Sequence, residues 1–298
     1  MSKAVVAMLG SVALVAALLC SLIHADRSNR TPPHPGAPPA DAASTASQAI
    51  HIYCAASNQA VLEPIRQAYE RLTGTSIRVQ YGPSQTLLAQ LELTHHGDLY
   101  LPADESYLVT AKARGLVAEI LPLATMQVGV VVKRGNPKGI VQLKSLLADN
   151  VRLVQASPDA AAAGKIARDH LTQTGQWAAV AEATTAFRGT VIEVTNDVQV
   201  GSADAGIAYD AVLHSYPDLE FVAIDALRNA IGKVSLGVLE SSQNRDKTLH
   251  FARFVAARDQ GLKIYREHGF HVSDGAPGLD VPELSVPTGS MFGPASQR

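Results

Sequence analysis

The feature that most constrains the fold is a repeated alternation of strand-like and helix-like stretches between residues 50 and 273. Short apolar runs such as "IHIYCA" (50–55) and "AGIAY" (205–209) are typical of strands, and the longer segments between them place apolar residues at helical spacing. In such a chain a helix carries the backbone from one strand to a parallel neighbour. The alternation therefore predicts an α/β fold of mainly parallel sheets flanked by helices.

Individual elements follow from the same patterns. The run "QVGVVVKRG" (127–135) predicts a strand, and the alanine-rich residues 162–174 predict a helix. Residues 190–202 carry a helical stripe of valines, which predicts a helix despite the β-branched side chains. Residues 246–268 predict one long final helix.

Two flanking regions do not follow the alternation. Residues 26–49 are rich in Pro, Ala and Ser and lack large apolar side chains, so we expect a linker that cannot bury a core. Residues 274–298 are rich in Pro and Gly with little periodicity, and we expect a disordered tail. The folded body is thus predicted to span about 50–273.

The N-terminus reads as an export signal or an anchor. Residues 1–25 contain an almost wholly apolar run at 4–23, followed by a small-residue cleavage pattern that predicts a signal peptide cleaved after Ala25. The run is also long enough to be retained as a membrane anchor. A third alternative is lipidation at Cys20. All three predict a periplasmic or other extracytoplasmic location.

Charge and cysteine content exclude several classes of protein. The chain has 25 Lys and Arg against 27 Asp and Glu, a formal net charge of -2, and no clustered basic face, so we expect no binding to nucleic acid. Two cysteines, Cys20 and Cys54, do not form a disulfide framework. Cys54 lies in a predicted strand, where we expect a small buried apolar side chain.

Two serines follow strand-like runs at the point where a helix is predicted to begin. Ser57 comes after residues 50–55, and Ser84 comes after residues 76–81. Ligands collect at the carboxyl ends of parallel strands, and a helix N-terminus offers unpaired N–H groups and a positive dipole end to an anion. A serine at this place also caps its own helix. From the residues alone, both interpretations stay open.

The second half of the chain offers a comparable set. Ala163 and Gly164 lie where a helix opens, and small side chains there let a ligand approach the backbone amides. Val191 follows Thr190 at the start of another predicted helix, and Tyr209 ends a short buried strand. Tyr209 also has an ordinary structural interpretation, as a half-buried phenol bonded to the backbone.

No motif points to catalysis or to a resident metal. The Gly-x-Ser-x-Gly pattern is absent around Ser57, and no dinucleotide or Walker A fingerprint occurs. His95 and His96 are adjacent and have no partner at metal-ligand spacing. Asp98, Asp104 and Glu105 are expected to be solvated acids at the end of a strand and not paired acids for hydrolysis. We therefore predict that the chain is not an enzyme and holds no metal or cofactor.

Several segments resemble the periplasmic molybdate-binding protein family. They are "AAS" (55–57), "YGPSQTLLAQL" (81–91), "GDLYLPADESYL" (97–108), "GSADAGIAYDA" (201–211) and "YREHGFHV" (265–272). Each motif is short, but together they span nearly all of the predicted body, in the family's order. The resemblance implies that the chain is an ABC transporter substrate-binding protein with the type II periplasmic-binding fold.

The resemblance also implies two lobes. Lobe one would comprise residues 50–126 and 236–273, and lobe two would comprise residues 127–235. Each lobe would hold a mainly parallel sheet flanked by helices, joined by a hinge of crossing strands. A ligand between the lobes would favour the closed state by contacting both.

The family's ligand contacts correspond to five positions in this chain. Ser57 and Ser84 match first-lobe serines that donate hydroxyls, and Ala163 and Val191 match residues that donate backbone N–H groups. Tyr209 matches a tyrosine whose hydroxyl reaches the oxyanion. The resemblance implies that these five residues form the ligand site.

The chain departs from the family at two of these places. The family often has a run of Ser and Gly where this chain has Pro83-Ser84-Gln85, and Pro83 lacks an N–H group. The family's proline before the Ala-Gly pair is Ala162 here. Both departures concern the choice of ligand and not the fold.

The function implied by the resemblance is capture of a tetrahedral oxyanion, molybdate or tungstate, by a monomer that delivers it to an ABC permease in the cytoplasmic membrane. Backbone amides and hydroxyls would satisfy the oxygens of a buried dianion without a counter-ion. Two alternatives stay open. One is a binding protein for another small anion or an organic acid, and the other is a membrane-tethered sensory or accessory domain of the same fold.

Overall fold

The computed structural model describes residues 49–272. The predicted signal peptide or anchor, Cys20, the predicted tail and all but the last residue of the predicted linker lie outside this range. Within it, no helix has both the length and the apolar character that crossing a membrane requires.

The strands within residues 49–272 are short except for one. They are β1 Ile50–Ala55, β2 Ile77–Gly82, β3 Leu99–Leu101, β4 Val117–Lys133, β5 Leu153–Ala156, β6 Thr184–Arg188, β7 Ala205–Tyr209, β8 Leu219–Val222 and β9 Ile231–Leu239. Strands β5 and β7 are buried along their whole length, as expected for strands that are covered on both faces.

Helices connect these strands in alternation. They are α1 Gln59–Thr73, α2 Ser84–Thr94, α3 Ser106–Ala113, α4 Leu143–Leu146, α5 Ala162–Gln173, α6 Trp177–Ala183, α7 Val191–Val200, α8 Arg245–Ala256 and α9 Gly261–Glu267. A 3-10 turn, Ala56–Asn58, links β1 directly to α1. Helix α1 buries Val61, Leu62, Ile65 and Tyr69 at helical spacing, so one face packs on the core.

The strands form two groups joined by β4. In one group β1 pairs in parallel with β2 and β3, and in the other β5 pairs in parallel with β6 and β7. Strand β4 pairs antiparallel with β9 up to Gln127, and with β7 from Val128 onward. Strand β8 also pairs antiparallel with β4, and β3 with β9. The long strand β4 therefore carries the chain from one sheet to the other.

The predicted α/β class, with parallel strands and crossing strands between two sheets, is confirmed. The sheets are mixed where they meet, because β4 and β9 run antiparallel to each other and to their other partners. Strand β4 changes partners at Gln127, but the residue limits of the two lobes stay a prediction.

Several elements differ from the sequence-based expectation. Strand β4 begins at Val117, well before the predicted 127, and α6, β6 and β8 were not predicted at all. The single helix predicted at 246–268 is wrong, since α8 and α9 are separate. Gly261 permits the close approach of the two helices, because a Cβ there would lie 2.1 Å from the carbonyl oxygen of Val255. The start of α9 therefore folds back against the end of α8.

Candidate functional site

A small cavity lies at the carboxyl ends of β1, β2, β5 and β7. Its empty volume is about 240 Å³, including the part open to solvent. All five residues predicted to form the ligand site line it, so the structure brings together positions separated by up to about 150 residues of chain. The lining residues are Ala55, Ala56, Ser57, Gly82, Pro83, Ser84, Ala103, Ala161, Ala162, Ala163, Thr190, Val191 and Tyr209.

Ser57 lies in the 3-10 turn between β1 and α1 and is buried. Neither this turn nor α1 has a side-chain cap, so the capping interpretation of Ser57 is wrong. Its Oγ is buried and has no hydrogen-bond partner among the described residues. A buried hydroxyl without a partner is uncommon and calls for an explanation.

Ser84 is the first residue of α2, and its position is held from two sides. Its Oγ accepts a hydrogen bond from the backbone N–H of Ala103 at 3.1 Å. Its carbonyl oxygen accepts one from the Tyr100 hydroxyl at 2.7 Å. A serine hydroxyl has a proton to donate besides its two lone pairs, so Ser84 can still donate into the cavity. Pro83 precedes the helix in an extended conformation.

Helix α5 brings unpaired amides to the opposite side. The helical hydrogen-bond pattern of α5 begins with the N–H of Lys165, which donates to the carbonyl oxygen of Ala161 at 3.1 Å. The N–H groups of Ala162 and Ala163 come before it and have no acceptor among residues 49–272. Gly164 lets the helix begin this close to β5, because a Cβ there would lie 2.2 Å from the carbonyl oxygen of Ala156.

Helix α7 begins at the cavity in the same way. Its N-cap is Thr190, whose Oγ accepts a hydrogen bond from the N–H of Glu193 at 3.2 Å. The N–H of Val191 is the first of the helix and finds no acceptor in the described part of the chain. Thr190 is a lining residue that sequence reasoning named only as the start of this helix.

Tyr209 ends β7 and is fully buried. Its hydroxyl has no hydrogen-bond partner among the described residues, so the predicted backbone-bonded alternative is wrong. Burial raises the pKa of the Tyr209 phenol well above its ordinary value, and the charge of nearby Asp104 adds to the effect. The phenol therefore keeps its proton and is available as a donor.

The cavity combines positive dipoles with a complete lack of charged side chains. None of the described residues that line it is charged, and the starts of α2, α5 and α7 and the turn before α1 all lie at its wall. Lys165 lies close in sequence, but its Nζ pairs with Asp169 at 2.8 Å. Helix N-termini favour negative charge, so the arrangement suits an anion held by neutral donors.

Sequence reasoning missed the apolar part of the wall. Ala55, Ala56, Ala103 and Ala161 line the cavity, and their methyl side chains offer no hydrogen bond to a ligand. The runs of alanine in the sequence were the available signal, but alanine is common in helices and does not by itself indicate a site. Cys54 is buried and free, and burial raises the pKa of its thiol, in agreement with its predicted role as a small apolar side chain.

Comparison with known proteins decides the family. The profile of the bacterial extracellular solute-binding proteins matches residues 50–271. The chain belongs to this family. It is therefore an extracytoplasmic binding protein for a small solute, and its family is one of binding proteins rather than enzymes.

Curated relatives share about a quarter of their residues with this chain. A putative binding protein of Haemophilus influenzae is 24% identical over 221 residues, which cover 74% of this chain and 90% of that protein. The molybdate-binding protein ModA of Mycobacterium tuberculosis is 25% identical over 264 residues, which cover 87% of this chain and 97% of that protein.

Solved structures share the fold at lower identity. The periplasmic molybdate-binding protein of Azotobacter vinelandii aligns with a TM-score of 0.64 at 16% identity, covering 75% of this chain and 99% of that one. The sulfate-binding protein SubI of Mycobacterium tuberculosis also aligns with a TM-score of 0.64. Its identity is 18%, and the alignment covers 77% of this chain and 88% of that one. The equal scores show that the fold alone does not identify the ligand.

Proposed function

We propose that this protein captures a tetrahedral oxyanion, molybdate or tungstate, in the cavity and delivers it to an ABC permease. The observation that carries the proposal is a convergence of donors without charge. Two buried hydroxyls without partners, those of Ser57 and Tyr209, line one cavity with the unpaired first-turn amides of α5 and α7. Together they supply what the oxygens of a buried dianion need.

The four oxygens of the anion would together accept hydrogen bonds from neutral groups on both sides of the cavity. Ser57 and Ser84 would donate from the first sheet, while Ala163 and Val191 would donate backbone N–H groups from the second. Tyr209 would donate its phenolic proton. Hydrogen bonds to an ionised acceptor are about twice as strong as neutral ones, so a few such donors hold a dianion without a counter-ion.

The wall of the cavity favours an anion without an organic substituent. Six alanines and Pro83 line the cavity, and its empty volume is only about 240 Å³ even with the part open to solvent included. A tetrahedral inorganic oxyanion presents acceptor oxygens on all sides, which suits donors that come from five separate chain segments. Molybdate and tungstate are nearly equal in size, whereas the smaller sulfate would leave longer hydrogen bonds.

Delivery would depend on closure of the two predicted lobes around the anion. The ligand would contact both sheets, so it would bind the closed state more tightly and shift the population toward it. A direct contact supports this geometry, because the N–H of Gln85 in α2 donates to the carbonyl oxygen of Ala160 at 3.0 Å. A monomer is sufficient for this mechanism, since every proposed donor comes from one chain.

A second candidate ligand is an organic anion. A wider pocket, with an empty volume of about 810 Å³ that includes the part open to solvent, shares Ser57 at its wall and is also lined by His214, His268 and Phe270. An organic group attached to the anion would lie there if Ser57 allowed passage between the two cavities. This alternative requires binding of an organic phosphate or carboxylate in preference to a bare oxyanion.

Isothermal titration calorimetry of the purified full chain tests the proposal. The titrants are molybdate, tungstate, sulfate, phosphate, and a small phosphorylated organic acid. We expect molybdate and tungstate to bind at least about tenfold more tightly than sulfate, a difference of about 1.4 kcal/mol. Absence of binding by every inorganic oxyanion would refute the proposal, and preference for the organic acid would establish the second candidate.

A further inference from the structure

Gly232 lies behind the ring of Tyr209 in strand β9. A Cβ at position 232 would lie 3.0 Å from Tyr209 Cε1, 3.2 Å from the Tyr209 hydroxyl oxygen and 3.1 Å from the carbonyl oxygen of Ala103. Gly232 does not have a positive φ. Other residues could therefore adopt its backbone conformation. What glycine provides here is room for the neighbouring atoms, because it has no side chain.

The same strand also touches the segment that holds Ser84. Lys233, the next residue of β9, donates its N–H to Asp104 Oδ2 at 3.2 Å. Ala103, just before Asp104, donates its N–H to Ser84 Oγ at 3.1 Å. The segment 103–104 thus contacts Ser84 on one side and β9 on the other, while Tyr209 packs against Gly232 of that strand.

We infer that Gly232 is a positioning residue that sets where the Tyr209 hydroxyl lies relative to the Ser84 hydroxyl. The missing side chain lets the phenol and the Ala103 carbonyl both approach β9. A methyl group at 232 forces each to shift by a few tenths of an ångström. Such shifts lengthen or misalign the hydrogen bond from Tyr209 to an anion. The role in ligand binding rests on the proposed function, while the packing of Tyr209 on Gly232 does not.

The first test needs no ligand. Tyrosine ring carbons are labelled with ¹³C in the full chain, and the Tyr209 resonance is assigned from its loss in Tyr209→Phe. We expect Gly232→Ala to move this resonance and leave most other tyrosine resonances in place. Because the contacts are relieved by small shifts, we expect the variant to fold, which a thermal unfolding curve checks. An unmoved Tyr209 resonance overturns the inference whatever the ligand is.

The second test is a double-mutant cycle with molybdate as the titrant. We expect Gly232→Ala to lower the affinity at least about tenfold, the size of one lost hydrogen bond to a charged group. In the Tyr209→Phe background the same substitution should cost clearly less, because the hydroxyl that it displaces is gone and only the shift of the Ala103 carbonyl remains. An equal loss in both backgrounds overturns the inference, since Gly232 would then act elsewhere.

The matched control is Gly189→Ala, near the start of α7. A Cβ there would meet nothing closer than the Glu193 carboxylate at 3.6 Å, so the affinity should stay within about twofold of wild type. The two proposals fail separately. If the wild type binds no oxyanion, the proposed function falls and the Tyr209 resonance still decides the packing. If the wild type binds molybdate and Gly232→Ala binds it equally well, only the inference falls.

Discussion

At the scale of single residues, the hydroxyls in the cavity fall into two kinds. Those of Ser57 and Tyr209 are buried without a partner in the described chain, whereas that of Ser84 accepts a backbone N–H. An unpaired buried polar group costs about 1–3 kcal/mol, so Ser57 and Tyr209 make the ligand-free protein less stable than it could be. Under the proposed function, the bound anion would accept a hydrogen bond from each of these hydroxyls and offset this cost.

Removal of these two hydroxyls should separate binding from stability. We expect Ser57→Ala and Tyr209→Phe each to lower molybdate affinity by about tenfold or more, because each removes a donor to a charged ligand. Neither should lower the melting temperature of the ligand-free protein, since neither breaks a hydrogen bond. Calorimetry and thermal unfolding measure the two effects. A clear loss of ligand-free stability with unchanged affinity would assign both hydroxyls to the core.

Ser84→Ala should behave differently. It removes the acceptor of the buried Ala103 N–H, so we expect the free energy of unfolding to fall by about 1–3 kcal/mol together with the affinity. Chemical denaturation of the ligand-free protein measures the first effect. Ser57→Ala is the matched control, because it removes the same atoms from a hydroxyl without a partner.

At the scale of elements, the site depends on where helices begin. Helix α5 starts against the end of β5, and only a glycine at 164 permits that distance, with a substituted Cβ 2.2 Å from the Ala156 carbonyl oxygen. Helix α7 is stopped at its other end by Gly201, which has a φ of 80°. The two glycines have different roles: Gly164 allows a close approach to the backbone, and Gly201 adopts the left-handed conformation that caps the helix.

Gly164→Ala should therefore displace the start of α5. We expect a loss of about 1–3 kcal/mol in unfolding free energy from overpacking against backbone, and a loss of oxyanion affinity of at least about tenfold. The control is Lys165→Ala, one residue further along, whose Nζ pairs with Asp169 on the same helix. This control should leave the affinity unchanged, and a large loss there would show that a cation contributes to binding.

The starts of β5 and β7 are tied by a charge pair that should govern acid stability. Arg152 donates from its side chain and its backbone to Asp204, which lowers the pKa of that carboxyl to about 2. The folded-state pKa is below the unfolded one, so the stabilisation is present above the ordinary carboxyl pKa. It is lost as the pH falls toward 2.

Comparison of wild type with Asp204→Asn across pH tests this link. We expect the variant to be less stable at pH 6, and the difference to shrink as the pH falls from about 4 toward 2. Asp225→Asn is the control, because the Asp225–Arg228 pair is largely exposed and such pairs contribute little. A difference that is constant over this range would mean that the Asp204 charge does not stabilise the fold.

At the scale of the whole molecule, the proposed site lies between two sheets that share β4. Ser57 and Ser84 follow strands of the first sheet, and Tyr209 ends a strand of the second. A ligand that contacts both sides stabilises the arrangement in which they are close. Ligand binding would then shift the equilibrium between the open and closed states toward the closed one.

Distances between two spin labels, measured by double electron–electron resonance, test the proposed closure of the lobes. Leu93 and Val200 lie in different predicted lobes and are 84% and 75% exposed, so Cys variants at both will accept spin labels. Cys54 is buried and will stay unlabelled, and Cys20→Ala removes the other native thiol. We expect molybdate to make the distribution of distances between the two labels narrower and to shift it to shorter distances. Sulfate at equal concentration is the control, and an unchanged distribution with bound molybdate would contradict closure.

The sequence by itself determined the order of most strands and helices, since periodicity is a local property of the chain. Helix α7 was predicted from a stripe of valines, and the structure confirms it. Strand β6 was missed because its side chains alternate between exposed and half-buried, and β8 is only four residues long. Neither carries a strong apolar signal. The five candidate site residues came from a family resemblance, and their role as ligands stays a prediction.

Only the tertiary structure decided how distant segments meet. The exchange of partners along β4, the approach of Gly232 to Tyr209, and the unpaired state of two hydroxyls all depend on contacts between residues far apart in the chain. A serine at a strand end looks the same in sequence whether it caps a helix or faces a cavity. What distinguishes the two is which atoms the fold brings within hydrogen-bond distance, and that is set by packing.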